Sequence, residues 1–150
     1  MGKKVVVGIG NLLLKDEGVG VHVVRALERR SLPCDVELVD GGTAGPDLLP
    51  YMSGAEKIIV VDALKGGGEP GSVYCLTPDD CEPKAEGNPL SLHDLGILVA
   101  LRDLELLEGR RPHVVIIGVE PKELDWGIEL TPEVAASIPK VIELVEKELK

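Results

Sequence analysis

The chain has 150 residues, a length that suits one folded domain, and we expect residues 1–150 to form a single domain. Its formal net charge is −10, from 26 acidic and 16 basic residues, which argues against a nucleic acid partner because the chain would repel the phosphate backbone. No apolar run approaches the roughly 18 residues of a membrane span, and no signal-peptide pattern follows Met1. We therefore expect a cytoplasmic protein that does not bind membranes.

The first half of the chain alternates between predicted strands and helices. Residues 4–9 form a β-branched run, and the apolar spacing of residues 17–30 predicts a helix after it. A second strand at residues 35–39 leads to Asp40 and to a short helix at 47–52. The third strand, at residues 57–61, is continuously hydrophobic, as buried parallel strands are, and it ends at Asp62.

The second half continues the alternation after a glycine-rich stretch. Residues 66–71 predict a turn or mobile loop before a shorter strand at 72–76, for which an antiparallel orientation is open. Ser91 can cap a helix that runs to about residue 108 and carries His93 in its first turn. A fifth strand follows at 113–118, then a loop at 120–130, and a last helix from about 139 to 149.

This alternation predicts a three-layer α/β sandwich. A twisted, mostly parallel five-stranded sheet has helices on both faces, because right-handed crossovers place helices on either side. Ligands bind such sheets at the carboxyl ends of the strands, near the point where the strand order reverses. If the strand order begins 2-1-3, one rim of the sheet carries Asn11, Glu17, Asp40, Asp62 and His93.

The glycines after the first strand raise the possibility of nucleotide binding. Gly8 and Gly10 follow a strand and precede a helix, as in a dinucleotide fingerprint, but the third glycine position is occupied by Leu13. The chain also has no Gly-Lys-Ser/Thr phosphate loop. We therefore expect no cofactor at this loop and assign Gly8 and Gly10 to a tight turn beside the sheet.

A metal site is the second chemical hypothesis for the rim. Carboxylate oxygens and a neutral imidazole suit divalent ions such as nickel, zinc or iron, and Glu17, Asp62 and His93 would leave coordination positions open for substrate or water. Each residue also has a structural alternative, since Asp62 can cap a turn and Glu17 can complement a helix N-terminus. The pattern of residues alone leaves both interpretations open.

A series of short motifs identifies a family resemblance. The motifs lie at residues 8–20 (GIGNLLLKDEGVG), 40–45 (DGGTAG), 48–49 (LL), 62–63 (DA), 70–73 (PGSV), 91–96 (SLHDLG), 118–121 (GVEP) and 130–134 (LTPEV). In this order and spacing they resemble the motifs of the nickel-iron hydrogenase maturation endopeptidases. The series spans nearly the whole chain, which makes the match specific.

The resemblance implies an endopeptidase that removes a C-terminal peptide from the hydrogenase large-subunit precursor after nickel has been inserted. The family's metal-contacting positions fall on Glu17, Asp62 and His93, and its further acidic position, in the Asp-Gly-Gly-Thr motif, falls on Asp40. The nickel belongs to the precursor, so the enzyme alone is expected to be metal-free. We expect it to act as a monomer.

The expected chemistry follows from what proteolysis requires. A polarised carbonyl, an activated water and a stabilised oxyanion are needed, and the chain shows no persuasive Ser-His-Asp or Cys-His arrangement to provide them. We expect the shared nickel ion to act as a Lewis acid and to lower the pKa of an attacking water. Asp40 is expected to orient that water or the substrate backbone, and a purely structural role at the strand end is its alternative.

Two other functions are compatible with the same ligands, and three further residues have their own interpretations. A non-enzymatic nickel-binding chaperone or sensor would use the same three ligands, and so would a zinc-dependent hydrolase of small amides. His22 and His113 are interpreted as packing or surface residues rather than ligands. Trp126 is predicted either to contact a partner or to pack as a lid over the core.

Overall fold

The computed structural model describes the backbone of residues 2–42, 45–78 and 92–150. The side chains of residues 45, 46 and 92–96 lie outside that description, as does Ser91, the predicted helix cap.

Five strands form one sheet whose order is β2-β1-β3-β5-β4. Neighbouring strands are parallel except for β4, which runs antiparallel to β5. The predicted α/β fold is confirmed, and the order begins 2-1-3, which is the condition under which the predicted site residues share one rim. The strands are β1 (Lys3–Ile9), β2 (Val36–Gly42), β3 (Ala55–Ala63), β4 (Val73–Leu76) and β5 (His113–Val119).

Helices cover both faces of this sheet. Two short 3₁₀ helices, Lys15–Gly18 and Gly45–Leu48, precede the first two α-helices. Within the described residues, none of the helices is both long enough and apolar enough to cross a bilayer. The α-helices are α1 (Val19–Leu27), α2 (Leu49–Met52), α3 (Leu92–Glu108) and α4 (Pro132–Glu148).

The last helix begins earlier than the sequence predicted. The predicted start at residue 139 was wrong, because α4 begins at Pro132, directly after Thr131. Proline suits the first position of a helix, where its fixed φ and missing N–H do no harm. Pro139 instead lies inside α4 and is exposed. The apolar spacing continues through the helix, so burial of one face holds α4 across this internal proline.

Each face of the sheet has its own hydrophobic core, because successive residues of a strand point to opposite faces. On one face Val6, Ile59 and Ile117 are buried against α1 and α4. On the other face Val7, Ile58 and Ile116 are buried against α3 and the end of α2. This packing makes the sheet a rigid support for residues that follow its strands.

Glycines allow α1 to lie directly on the carboxyl ends of the strands. A Cβ atom on Gly20 would lie 2.1 Å from the Val61 carbonyl oxygen, and one on Gly8 would lie 2.2 Å from the Gly20 carbonyl oxygen. Gly10 has a φ of 138° and donates its N–H to the Gly42 carbonyl at 2.7 Å. Gly8 and Gly10 therefore have structural roles in the turn beside the sheet, as predicted.

Candidate active site at the carboxyl rim of the sheet

Two of the predicted site residues lie near the carboxyl ends of strands β2 and β3, and a third lies in the segment that follows β1. Asp40 pairs with Gly8 across β2 and β1, and Asp62, near the end of β3, pairs with Gly118 of β5. Glu17 belongs to the 3₁₀ helix Lys15–Gly18, which follows β1 and contacts β3. The fold therefore places Glu17, Asp40 and Asp62 on the same rim of the sheet.

The fourth predicted residue, His93, belongs to the first turn of α3, and its side chain is outside the described part of the chain. Among the described side chains, no three His, Cys, Asp or Glu residues form a group that could hold a metal ion. Because the predicted ligand set includes His93, the meeting of Glu17, Asp62 and His93 stays a prediction.

The three rim carboxylates differ in their exposure. Asp62 is only 1% exposed, and its Oδ1 accepts the Ala63 N–H at 2.8 Å. Glu17 is half-buried. Its backbone carbonyl oxygen packs against Gly10, where an added Cβ atom would lie only 1.8 Å from that oxygen. Asp40 is exposed. The rim thus combines one buried carboxylate with two that a docked molecule can reach.

Asp40 borders a cleft between the ends of β1 and β2. A cavity of about 220 Å³ opens there, lined by Gly10, Asn11, Leu12, Val21, Asp40 and Gly42. The Asp40 Oδ1 accepts the Gly42 N–H at 3.2 Å, which is the pattern of a local Asx turn. This hydrogen bond gives the side chain a structural role at the strand end and also fixes its direction beside the cleft.

Asp16 is a major anchor of the rim that sequence reasoning missed. This fully buried carboxylate accepts four hydrogen bonds, from the N–H groups of Lys122 (2.8 Å), Glu123 (2.9 Å) and Thr131 (2.8 Å) and from the Thr131 hydroxyl (2.8 Å). Burial alone would raise the pKa of Asp16, but these hydrogen bonds outweigh it and the pKa is lowered. Asp16 therefore fastens the segment that carries Glu17 to the loop after β5.

Glu120 anchors the glycine-rich loop in a similar way. Its Oε1 accepts the N–H groups of Gly66 (2.8 Å) and Gly68 (3.1 Å) and the Tyr74 hydroxyl (2.7 Å). Burial and the hydrogen bond to Glu120 raise the pKa of the Tyr74 phenol. The loop that was predicted as a turn or mobile segment is thus tied to the end of β5.

His22, His113 and Trp126 differ in their exposure. His22 is half-buried on α1, and its pKa is lowered. Burial and the nearby charge of Arg25 cause this lowering, which a backbone hydrogen bond with Ile128 partly offsets. His113 is exposed at the start of β5. Trp126 is 78% exposed, so the prediction that it packs as a lid over the core was wrong.

Comparison with known proteins identifies the family. The sequence model of the hydrogenase maturation protease family matches residues 21–148. The hydrogenase expression/formation protein HupD of Bradyrhizobium diazoefficiens is 41% identical over 142 residues, which cover 93% of this chain and 73% of HupD.

Solved structures of hydrogenase maturation proteases also match this chain. The hydrogenase maturating endopeptidase HybD from Escherichia coli matches with a TM-score of 0.86 and 38% identity, covering 98% of this chain and 91% of HybD. The NiFe hydrogenase maturation protease HybD from Thermococcus kodakarensis matches with a TM-score of 0.84 and 30% identity, covering 99% of each chain. By sequence and by structure, this chain belongs to the hydrogenase maturation protease family.

Proposed function

We propose that this chain is an endopeptidase that removes the C-terminal extension of a hydrogenase large-subunit precursor after nickel has been inserted into that precursor. Membership of the hydrogenase maturation protease family supports the substrate and the reaction. The observation that carries the proposal is the placement of Glu17, Asp40 and Asp62 on one carboxyl rim, where sheets of this topology bind their ligands.

The proposal assigns recognition of the precursor's nickel to Glu17, Asp62 and His93. Two carboxylates and an imidazole are donors that suit nickel. Asp62 lies near the end of β3, the strand that the 3₁₀ helix carrying Glu17 contacts, so the two carboxylates are on the same rim. The half-buried Glu17 is reachable from outside, as contact with an ion carried by another protein requires.

The proposal divides the chemistry between the nickel of the precursor and the residues of the cleft. When bound at the rim, nickel supplies a Lewis acid for the scissile carbonyl and lowers the pKa of a nearby water. Asp40, held by its hydrogen bond to Gly42, orients that water or the substrate backbone in the cleft. Gly10 and Gly42, which also line the cleft, have no side chains that would keep a peptide backbone away from Asp40.

Cleavage of a purified precursor tests this function directly. We expect the wild-type protein to release a C-terminal fragment from nickel-loaded precursor and none from nickel-free precursor, as measured by mass spectrometry. Glu17→Ala, Asp62→Ala and His93→Ala should abolish the release while circular dichroism shows folded protein. Asp103→Ala, which removes an exposed carboxylate from α3, is the matched control and should cleave normally. Near-normal cleavage by all three of these variants would reject the assignment.

The same experiment separates the two rival functions. A nickel-binding chaperone or sensor would bind the ion but release no fragment from any precursor. A zinc-dependent amide hydrolase would retain stoichiometric zinc through purification and would cleave without nickel. Metal analysis of the purified protein, together with the cleavage assay, distinguishes all three.

A further inference from the structure

Three large apolar side chains are exposed around a single contact between two loops. Leu13 is 53% exposed, Trp126 78% and Ile128 69%. All three lie within one residue of the parallel bridge that pairs Leu14 with Gly127. Bridged strands lie only about 5 Å apart, so these side chains project from neighbouring backbone positions. We call Leu13, Trp126 and Ile128 the Trp126 surface.

The Trp126 surface is held in place before any partner binds. Gly127 donates its N–H to the Leu13 carbonyl at 2.9 Å, and Lys15 donates its N–H to the Gly127 carbonyl at 2.9 Å. The buried Asp16 carboxylate fastens the same two segments through its four hydrogen bonds. Because the backbone next to Trp126 is already fixed, less conformational freedom is lost when this exposed tryptophan binds a partner, which favours its use as a contact residue.

The Trp126 surface adjoins the candidate active site. The Glu17 N–H donates to the Leu14 carbonyl at 3.1 Å, so Glu17 lies one turn away from the bridge between Leu14 and Gly127. A protein that covers the Trp126 surface would therefore also lie against the rim. This continuity favours the substrate protein as the occupant.

The charge around the Trp126 surface indicates the chemistry of its partner. The two nearby lysines are already paired, Lys15 with Glu123 at 3.1 Å and Lys122 with Glu133. Asp125 and Glu129 are exposed carboxylates directly beside Trp126 and Ile128. Arg25 lies near His22, which is hydrogen-bonded to the Ile128 backbone, and its charge offsets part of this negative charge. With the lysine pairs neutralised and the whole chain at −10, the surface stays apolar and negative. It is complementary to an apolar segment that carries basic residues.

We infer that the Trp126 surface is a docking site for the hydrogenase large-subunit precursor, which it binds through an apolar, basic segment of that protein beside the scissile bond. The inference rests on the proposed function and adds to it a binding contact outside the predicted ligands. Docking here brings the peptide bond to the rim, and the chemical step belongs to the rim residues.

Steady-state processing of nickel-loaded precursor tests the docking site. Trp126→Ala should raise KM at least about tenfold, as loss of a central tryptophan contact does, with kcat changed much less. The double charge reversal Asp125→Lys with Glu129→Lys should also raise KM, and raising the salt concentration should raise the KM of the wild type more than that of this variant. Leu106→Ala on α3 is the matched control, because Leu106 is also 78% exposed, and its KM should be unchanged.

The possible results separate this inference from the proposed function. An unchanged KM for Trp126→Ala, in an assay where Glu17→Ala abolishes cleavage, would overturn the docking site and leave the proposed function intact. Absence of cleavage by the wild type would reject the function itself. The alternative occupant of the Trp126 surface is a second copy of this chain, and analytical ultracentrifugation tests it. If the wild type is a dimer and Trp126→Ala is a monomer, the surface is a dimer interface and the inference is overturned.

Discussion

The carboxylate of Asp16 accepts both the backbone N–H and the hydroxyl of Thr131, each at 2.8 Å, across 115 positions of the sequence. Both residues are buried. Together with the Asp16 bonds to Lys122 and Glu123, this contact joins the segment that carries Glu17 to the loop that carries Trp126. One buried side chain thus holds the predicted metal-contacting residue and the proposed docking surface in a fixed relationship.

Removal of the Asp16 carboxylate should lower the stability of the protein. Asp16→Ala leaves the buried N–H and hydroxyl of Thr131, and the partly buried N–H groups of Lys122 and Glu123, without this acceptor. We expect the free energy of unfolding to fall by about 3 kcal/mol. Thr131→Val keeps the backbone N–H bond and loses only the hydroxyl bond, so its loss should be about 1 kcal/mol. Urea unfolding measures both changes. Glu143→Ala, at an exposed position of α4, is the control and should stay within about 0.5 kcal/mol of the wild type.

Asp16 should also make the stability depend on pH in acid. Its pKa is lowered in the folded protein, so its contribution is fully present above the ordinary aspartate pKa of about 4 and is lost as the pH falls through the folded value. The difference in unfolding free energy between wild type and Asp16→Asn should therefore be constant from pH 7 to 5 and shrink below about pH 4.

Glu133 also titrates in acid and is coupled to Asp16. The hydrogen bond from Lys122 lowers the pKa of Glu133, whereas the Asp16 charge raises it, so the comparison is made in a Glu133→Gln background, where this coupling is absent. Urea unfolding at pH 7, 5 and 3 gives the required values. A difference that is the same at pH 3 as at pH 7 would contradict the role of the ionised Asp16 carboxylate.

The sequence predicted the sheet well because its signals are local. Continuous β-branched runs specify buried parallel strands, and the order of strands and helices limits the topology to few choices. The position of Asp62 near the end of β3, and hence on the rim, followed from the end of one such run. The same reasoning placed Asp40 beside the first strand.

The anchors of the rim could not be predicted in this way. Asp16 stands in a short polar segment beside Glu17, and nothing near it in the sequence indicates donors more than 100 positions away. Glu120 likewise bonds to Gly66 and Gly68, which read locally as a flexible turn. The early start of α4 was missed because Pro139 resembles a proline in the first turn of a helix. The helix continues through Pro139 because its apolar face is buried against the sheet, and this packing depends on residues distant in the sequence.

Gly20 should not tolerate the smallest side chain. Alanine normally stabilises a helix relative to glycine by up to about 1 kcal/mol. At Gly20, however, the added methyl group would lie 2.1 Å from the Val61 carbonyl oxygen and 2.5 Å from the Ile9 carbonyl oxygen, and both atoms belong to the sheet backbone. We therefore expect Gly20→Ala to lower the free energy of unfolding by about 3 kcal/mol, against the helix propensity.

An exposed position of the same helix provides the control for this substitution. Arg25→Ala adds no atom toward the sheet, so the unfolding free energy should change by less than about 0.5 kcal/mol. Urea unfolding of the two variants measures both effects. A Gly20→Ala protein as stable as the wild type would show that α1 can move off the strand ends without loss.

Asp40 offers a way to separate a chemical role from a structural one at the same residue. Asn at this position keeps an oxygen that can accept the Gly42 N–H, so Asp40→Asn should preserve the turn and the stability. It removes the negative charge that would orient water or substrate in the cleft. If Asp40 acts in the reaction, kcat for cleavage of nickel-loaded precursor should fall about 100-fold or more, the size of a general acid–base contribution. Asp40→Ala loses both the charge and the turn, so it should show the same fall in kcat together with a lower unfolding temperature. Wild-type kcat in Asp40→Asn, with a defect confined to the stability of Asp40→Ala, would assign Asp40 to the strand end alone.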